Sequence, residues 1–221
     1  MHLVSFASRH MSSLSSTTWR LPAALLLLSL VPLAAGAVRL VGLATGTALT
    51  VDNARFLVTP LPVVLHIVGA TLFCLLGAFQ FDSAFRGYSP VLHRNVGRVA
   101  GVCGIMAALS GLWMTVAYPI PKALQGDLLY AARVLVAISM ALAIGVSFRA
   151  ALRRRFVQHR AWMVRAYALG QGAGTQVLIL LPVTLIAGEP TYLLRDLLMV
   201  SAWGLNLLIA ERIVLRRLSS A

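Results

Sequence analysis

Two short segments of this chain combine histidine with arginine in the same arrangement. The segment "HRNVGR" begins at position 93, and the segment "HRAWMVR" begins at position 159. In each, a His-Arg pair is followed within a few residues by a further arginine, and small or apolar residues come next. The residues of this repeated pattern are His93, Arg94, Arg98, His159, Arg160 and Arg165.

Three kinds of chemistry suit this set of side chains. Two neutral imidazoles on separate helices at one depth are the ligands of a bis-histidine b-type haem, and arginines nearby can hold its propionates. The arginines can instead bind an anionic headgroup or substrate, with a zinc ion on the histidines, for which Asp82 is the nearest further ligand. A purely structural role is the third reading, with the arginines reaching lipid phosphates from the ends of membrane spans. The residues alone leave all three open.

Each histidine stands at the start of a strip of mostly small residues with helical spacing. Such strips let membrane helices pack closely, and they would also make room for a porphyrin. Ser89 and Pro90 are suited to the N-cap and first position of the helix that carries the first strip, while Gly172 and Gly174 thin the second helix further. The strips are His93, Gly97, Gly101, Gly104, Ala108, Gly111 and Thr115, and His159, Met163, Ala166, Gly170, Ala173 and Val177.

The elements that carry these strips are membrane spans. The chain has 221 residues, of which 59% are hydrophobic and 11% are charged, against about 25% charged in soluble domains. Helices of about 20 apolar residues cross a bilayer, and they satisfy their own backbone hydrogen bonds. We therefore predict an all-α integral membrane protein with a segment 1–20 before a six-span bundle over 21–217, built mainly from spans two to five. The predicted spans are about 21–43, 60–80, 97–118, 128–148, 161–187 and 193–214.

The distribution of basic residues predicts the orientation. With six spans, 14 basic residues fall on the side of the termini and 5 on the other side, so both termini are expected in the cytoplasm. One lysine against eighteen arginines is typical of a GC-rich bacterium, which favours a bacterial inner membrane. The leucine run and "AAGA" of the first span also resemble a cleaved secretory signal, although we favour a retained span.

Several other functions are disfavoured. The net charge of +13 is attributed to basic residues that set the orientation of the spans and face lipid headgroups. Nucleic-acid binding is not expected, because the chain has no soluble basic domain. No acidic residue falls at the centre of a predicted span, which disfavours a proton-coupled carrier. His66 is expected to be hydrogen-bonded within the bundle, Cys74 and Cys103 to be buried free thiols, and the polar residues of spans five and six to bond between helices.

The strings "LHIVGATLFCLLGAFQF", "HRNVGR" and "QHRAWMVRAYAL" together carry a family resemblance. Over about 60–185 the chain resembles the bacterial membrane proteins of domain-of-unknown-function family 2306, which implies a small multi-span protein and leaves its chemistry open. The layout is also similar to that of six-span cytochromes b, in which four central spans carry haem-ligating histidines. Here only spans two, three and five carry one, so the similarity concerns the fold alone.

The sequence thus predicts two alternative functions and does not determine whether the protein is an enzyme. The first is a b-type haem protein or a quinone-linked redox component, with a quinone or an electron-transfer protein as partner. The second is a haem-free membrane protein that binds lipid headgroups or a partner protein.

Overall fold

A computed structural model describes residues 19–50 and 53–218, and this part of the chain forms nine helices. The predicted N-terminal segment 1–20 therefore lies almost entirely outside the described residues. The helices are α1 (Arg20–Thr45), α2 (Ala54–Val58), α3 (Pro60–Gln80), α4 (Ser83–Tyr88), α5 (Pro90–Ala117), α6 (Asp127–Leu152), α7 (Phe156–Gly170), α8 (Gly172–Ala187) and α9 (Tyr192–Leu218).

Six segments of the described chain are long and apolar enough to cross a membrane, which confirms the predicted number of spans. They are α1, α3, α5, α6, the pair α7–α8, and α9. We call the end of the bundle where α3 ends and α5 begins the arginine-rich end, and the end where α3 begins the opposite end. Many leucines and valines on these helices are exposed, as expected for surfaces that face lipid.

The start of α5 follows its local sequence. Ser89 has an extended backbone, and its hydroxyl accepts a hydrogen bond of 3.3 Å from the backbone N–H of Leu92. Pro90 follows as the first helical residue, where its missing N–H costs nothing. The predicted cap and first position are therefore confirmed, and they fix where His93 lies on the first turn of the helix.

The buried core draws on α3, α5, α6 and α7, and its centre is Phe73, which is 2% exposed. The strip on α5 is the surface that packs against it. A Cβ atom on Gly104 would lie 2.7 Å from the ring of Phe73 and 2.8 Å from Ile144. Val102, which the spacing places off the strip, is 64% exposed. Glycine on the strip is thus what allows α5 to approach its neighbours.

The fifth span differs from the prediction because it is interrupted at Gln171, between α7 and α8. Ala166 is buried as the strip requires, whereas Ala173 is exposed. The residues after the interruption therefore do not continue the buried face that begins at His159. Gly172 and Gly174 are buried instead.

Polar side chains around this interruption bond between helices, as predicted. Ser29 of α1 donates to the side-chain oxygen of Gln171 at 3.0 Å, and Gln171 donates to the Tyr167 hydroxyl at 2.8 Å. On the other side, Thr175 donates to the side chain of Asn206 in α9 at 2.8 Å. These bonds make α1 and α9 members of the bundle.

Candidate functional site

Three helix ends meet at the arginine-rich end. Helix α3 ends at Gln80, the short helix α4 leads into α5, and a tight turn joins α6 to α7. Asp82 begins α4 by accepting from the backbone N–H of Ala84 at 2.9 Å. Arg154 gives the α6–α7 turn its left-handed residue, with a φ of 58°. These short connections hold the first turns of α5 and α7 at the same end of the bundle.

His159 is held against α6 by Ser147, which is fully buried. Its Nδ1 atom lies 2.7 Å from the Ser147 hydroxyl and 3.1 Å from the Ser147 carbonyl oxygen. The Ser147 hydroxyl is also 3.0 Å from the carbonyl oxygen of His159. Because Nδ1 is occupied, Nε2 is the ring nitrogen that remains for another partner.

His93 has no such support. Its Nδ1 atom is buried and has no hydrogen-bond partner among the described residues. The ring makes an edge contact with Phe85, at 6.2 Å between centroids. His93 also lies within electrostatic range of His159, Arg86 and Arg160, as well as of its neighbour Arg94. The two predicted histidines therefore lie at the same end of the bundle and within electrostatic range of each other.

Gln80 is a member of this cluster that the sequence analysis missed. Its side-chain oxygen lies 2.9 Å from the position that a Cβ atom on Gly97 would occupy, one turn along α5 from His93. Its amide nitrogen is buried and, within the described part of the chain, has no partner. The signal in the sequence was a lone amide at the end of an otherwise apolar span. Gln80 and His93 thus present two buried polar nitrogens without acceptors at one end of the bundle.

The four arginines of the pattern have different environments. Arg94 and Arg98 are exposed on α5, and Arg160 is exposed on α7. Arg165 instead donates two hydrogen bonds, of 2.5 and 2.8 Å, to the carboxylate of Glu211 on α9, and its guanidinium lies over the ring of Trp162. Arg165 therefore serves to join α7 to α9, whereas Arg94 and Arg160 form the rim of the site, within electrostatic range of His93.

The strip on α5 offers little room for a porphyrin in this arrangement. A Cβ atom on Gly101 would lie 2.2 Å from the ring of Phe148, so that ring already fills the space above the glycine. Gln80 fills the space at Gly97 in the same way. No group of three or more histidine, cysteine, aspartate or glutamate side chains able to hold a metal occurs in residues 19–50 and 53–218. A bis-histidine haem needs only two ligands, so His93 and His159 as iron ligands stay a prediction.

His66 and the cysteines are located as predicted. The Nδ1 atom of His66 lies 2.8 Å from the carbonyl oxygen of Ala107, across the contact between α3 and α5. Cys74 and Cys103 are buried free thiols. None of the three faces the cluster at the arginine-rich end, because His66 lies toward the start of α3 and the cysteines belong to the core.

A family model described as "Predicted membrane protein (DUF2306)" matches residues 63–214, which is more than half of the chain. The chain belongs to this family. The match extends from α3 into α9 and includes Gln80, His93 and His159, so the whole candidate site lies within the family's domain. No curated protein and no solved structure matches the chain. The family and the six apolar spans together identify an integral membrane protein.

Proposed function

We propose that this protein binds the phosphate of an anionic lipid headgroup at the arginine-rich end of its bundle. The observation that carries the proposal is the pair of buried, unpartnered nitrogens of Gln80 and His93 inside a rim of arginines. An amide NH2 group is a donor, and a neutral imidazole donates from Nδ1 in one of its tautomers. The site therefore lacks an acceptor, which phosphate oxygens would supply.

The energetics favour an anion in this position. A buried donor left without a partner costs about 1–3 kcal/mol, so a ligand that satisfies it gains that energy on binding. Arg86 and Arg94 lie within electrostatic range of His93 and would attract negative charge to the same point. Arginine forms bidentate hydrogen bonds with phosphate, and it does so at the depth of the headgroups when it stands at the end of a span.

The expected orientation agrees with this ligand. The excess of basic residues on the side of the termini predicts that the arginine-rich end faces the cytoplasm. In a bacterial inner membrane that leaflet contains anionic lipids, and clusters of basic residues beside spans bind them. The proposed ligand is therefore a lipid of the membrane in which the protein resides.

The test compares lipid affinity in two variants. Native mass spectrometry of the purified protein measures binding of phosphatidylglycerol and of phosphatidylcholine. Gln80→Met keeps the length of the side chain and removes the donor, so it should lower affinity for phosphatidylglycerol by roughly fivefold to tenfold. It should also leave the lipid-free protein at least as stable, because an unsatisfied buried group is gone.

Arg153→Gln is the matched control, since Arg153 is exposed in the nearby α6–α7 turn and is not among the groups in electrostatic range of His93. It should lower affinity for phosphatidylglycerol only slightly. Equal affinity of the two variants, or no preference of the natural protein for phosphatidylglycerol, would reject the proposal.

A second candidate function is a b-type haem protein or quinone-linked redox component, and one observation favours it. Nδ1 of His159 is held by Ser147, and metal-bound histidines commonly have their second nitrogen held in this way. The ring of Phe148 would have to turn away from Gly101 to make room. The protein from haem-replete cells should then show sharp α and β bands when reduced, and His93→Ala or His159→Ala should remove them while His66→Ala does not. A colourless, folded and monodisperse protein excludes this candidate.

A further inference from the structure

Three arginines lie close together at the opposite end of the bundle. Arg133 is on the second turn of α6, Arg195 is on the first turn of α9, and Arg55 belongs to the short helix α2. Arg133 lies within electrostatic range of both other arginines. In the sequence these three belong to the minority of five basic residues on one side, and nothing in their spacing relates one to another.

Their guanidinium groups are not solvated like ordinary surface arginines. Arg133 and Arg195 are half-buried. One nitrogen of Arg133 donates to the side-chain oxygen of Gln125, which is itself buried. The Nε atom of Arg195 is buried and has no partner among the residues that the structure describes. One N–H donor of this half-buried cation is thus shielded from water without an acceptor among the described residues.

Asp196 supplies the negative charge that acts on Arg133. This carboxylate is 3% exposed and accepts hydrogen bonds from the backbone N–H groups of Gly126 and Leu129, at 3.3 and 3.0 Å. It therefore stabilises the first turn of α6. Within residues 53–218, none of the three arginines forms an ion pair with a carboxylate. Three positive charges face one negative charge that is already engaged.

The positive region continues toward α1. The guanidinium groups of Arg39 and Arg55 each lie 4.6 Å from the centre of the Phe56 ring. Phe56 and Arg39 line a cavity of about 190 Å³ together with Thr47 and Asn53. Arg39 is the arginine that lines this cavity, which lies at the same end of the bundle as the half-buried Arg133 and Arg195.

We propose that the opposite end holds a second anion-binding site, in which Arg133 and Arg195, with Arg55 beside them, bind a carboxylate or phosphate group. Ionisable side chains inside a membrane bundle mark binding sites by default, and buried charges require a partner. Arginine matches the oxygens of carboxylate and phosphate with two parallel hydrogen bonds. The group belongs either to a soluble anion or to a lipid headgroup of that leaflet. This site is separate from the one proposed at the arginine-rich end.

The experiment uses the full chain in nanodiscs and measures its midpoint of thermal unfolding. In one arm, phosphatidylcholine nanodiscs receive inorganic phosphate or acetate, with chloride at equal ionic strength as the reference. In the other arm, phosphatidylglycerol replaces phosphatidylcholine and no phosphate is added. Only the part of the response that is lost in Arg195→Gln reports this site. Such a response to the added salts identifies a soluble anion, and one in the second arm alone identifies a headgroup.

Arg195→Gln should lower the affinity derived from these responses by roughly tenfold, since it removes a charged donor from the site. Lys122→Gln is the matched control, because Lys122 is exposed at the same end and pairs with Asp127. Arg195→Lys keeps the positive charge but cannot form two parallel hydrogen bonds, so it should retain part of the affinity. If Arg195→Gln does not fold, Arg195→Lys takes its place in the experiment. Gln80→Met should leave intact the part of the response that Arg195→Gln removes, which separates this site from the other one.

Two results would overturn the inference. The first is a natural protein that responds to neither the added anions nor phosphatidylglycerol. The second is a response that is the same in the Arg195 variants and in Lys122→Gln. In either case the half-buried arginines would have a purely structural role.

Discussion

Gly174 is the position where a single methyl group should separate two helices. A Cβ atom there would lie 2.2 Å from the backbone carbonyl oxygen of Leu28 and 2.8 Å from its Cγ atom. Carbon–oxygen contacts in proteins are about 3.3 Å or longer. Because the nearest atom belongs to the backbone of α1, no side-chain rotation relieves the clash, and α1 must withdraw from α8.

The cost of Gly174→Ala can be estimated from the two interactions that change. Forcing a methyl group into a packed interface costs about 1–3 kcal/mol. A shift of α1 by roughly 1 Å would also stretch the 3.0 Å hydrogen bond from Ser29 to Gln171 beyond useful length, which costs a further 1–3 kcal/mol or so. Alanine regains about 1 kcal/mol through its greater helix propensity. We expect the free energy of unfolding to fall by about 3 kcal/mol.

The assay is equilibrium unfolding of the purified protein in mixed micelles with increasing SDS. Gly145→Ala and Gly204→Ala are matched controls, because a Cβ atom at either glycine meets nothing within 4 Å. Both controls should be neutral or stabilise the protein by up to about 1 kcal/mol.

If Gly174→Ala is as stable as these two controls, the reasoning is refuted, because α1 could not then lie against α8 at Leu28. Removal of the first span as a signal would give the same result. The intact mass of the purified protein distinguishes a cleaved chain from a retained but displaced helix.

Two further predictions concern the α5 strip and the orientation. Gly101→Leu should lower the midpoint of thermal unfolding, because the leucine side chain would enter the space of the Phe148 ring. Val102→Leu should have little effect, because Val102 is exposed. Equal effects of the two changes would show that the α5 strip is not the packing surface. Reporter fusions at the two termini should both indicate the cytoplasm, because the predicted six-span order assigns 14 of the 19 basic residues to that side. A periplasmic C-terminus would contradict the six-span order.

Much of the fold could be predicted because it depends on local and periodic features of the chain. A span is recognised from about 20 consecutive apolar residues, since the bilayer leaves a helix no other way to satisfy its backbone. The start of α5 could be read from Ser89 and Pro90, whose effects act within one turn. The packing face of α5 could be read from glycines at helical spacing, because residues three and four apart share a side of the helix.

The sequence also indicated His93 and His159 as a pair, because the same residue types recur at the starts of two parallel spans. It did not indicate which of the two is supported. That depends on Ser147, which lies on a third helix and reaches His159 only because α6 and α7 pack together. Gln80 joined the cluster for the same reason, since its contact with Gly97 crosses from α3 to α5.

By itself, then, the sequence determined an all-helical membrane protein of six spans, the first turn of α5 and the repeated His-Arg pattern. Tertiary structure alone decided the interruption at Gln171, the pairing of Arg165 with Glu211, and the meeting of Arg133 with Arg195. The physical reason is distance along the chain. Propensity, capping and hydrophobic period act over a few residues, whereas these contacts join residues on different elements whose approach depends on how all six spans pack.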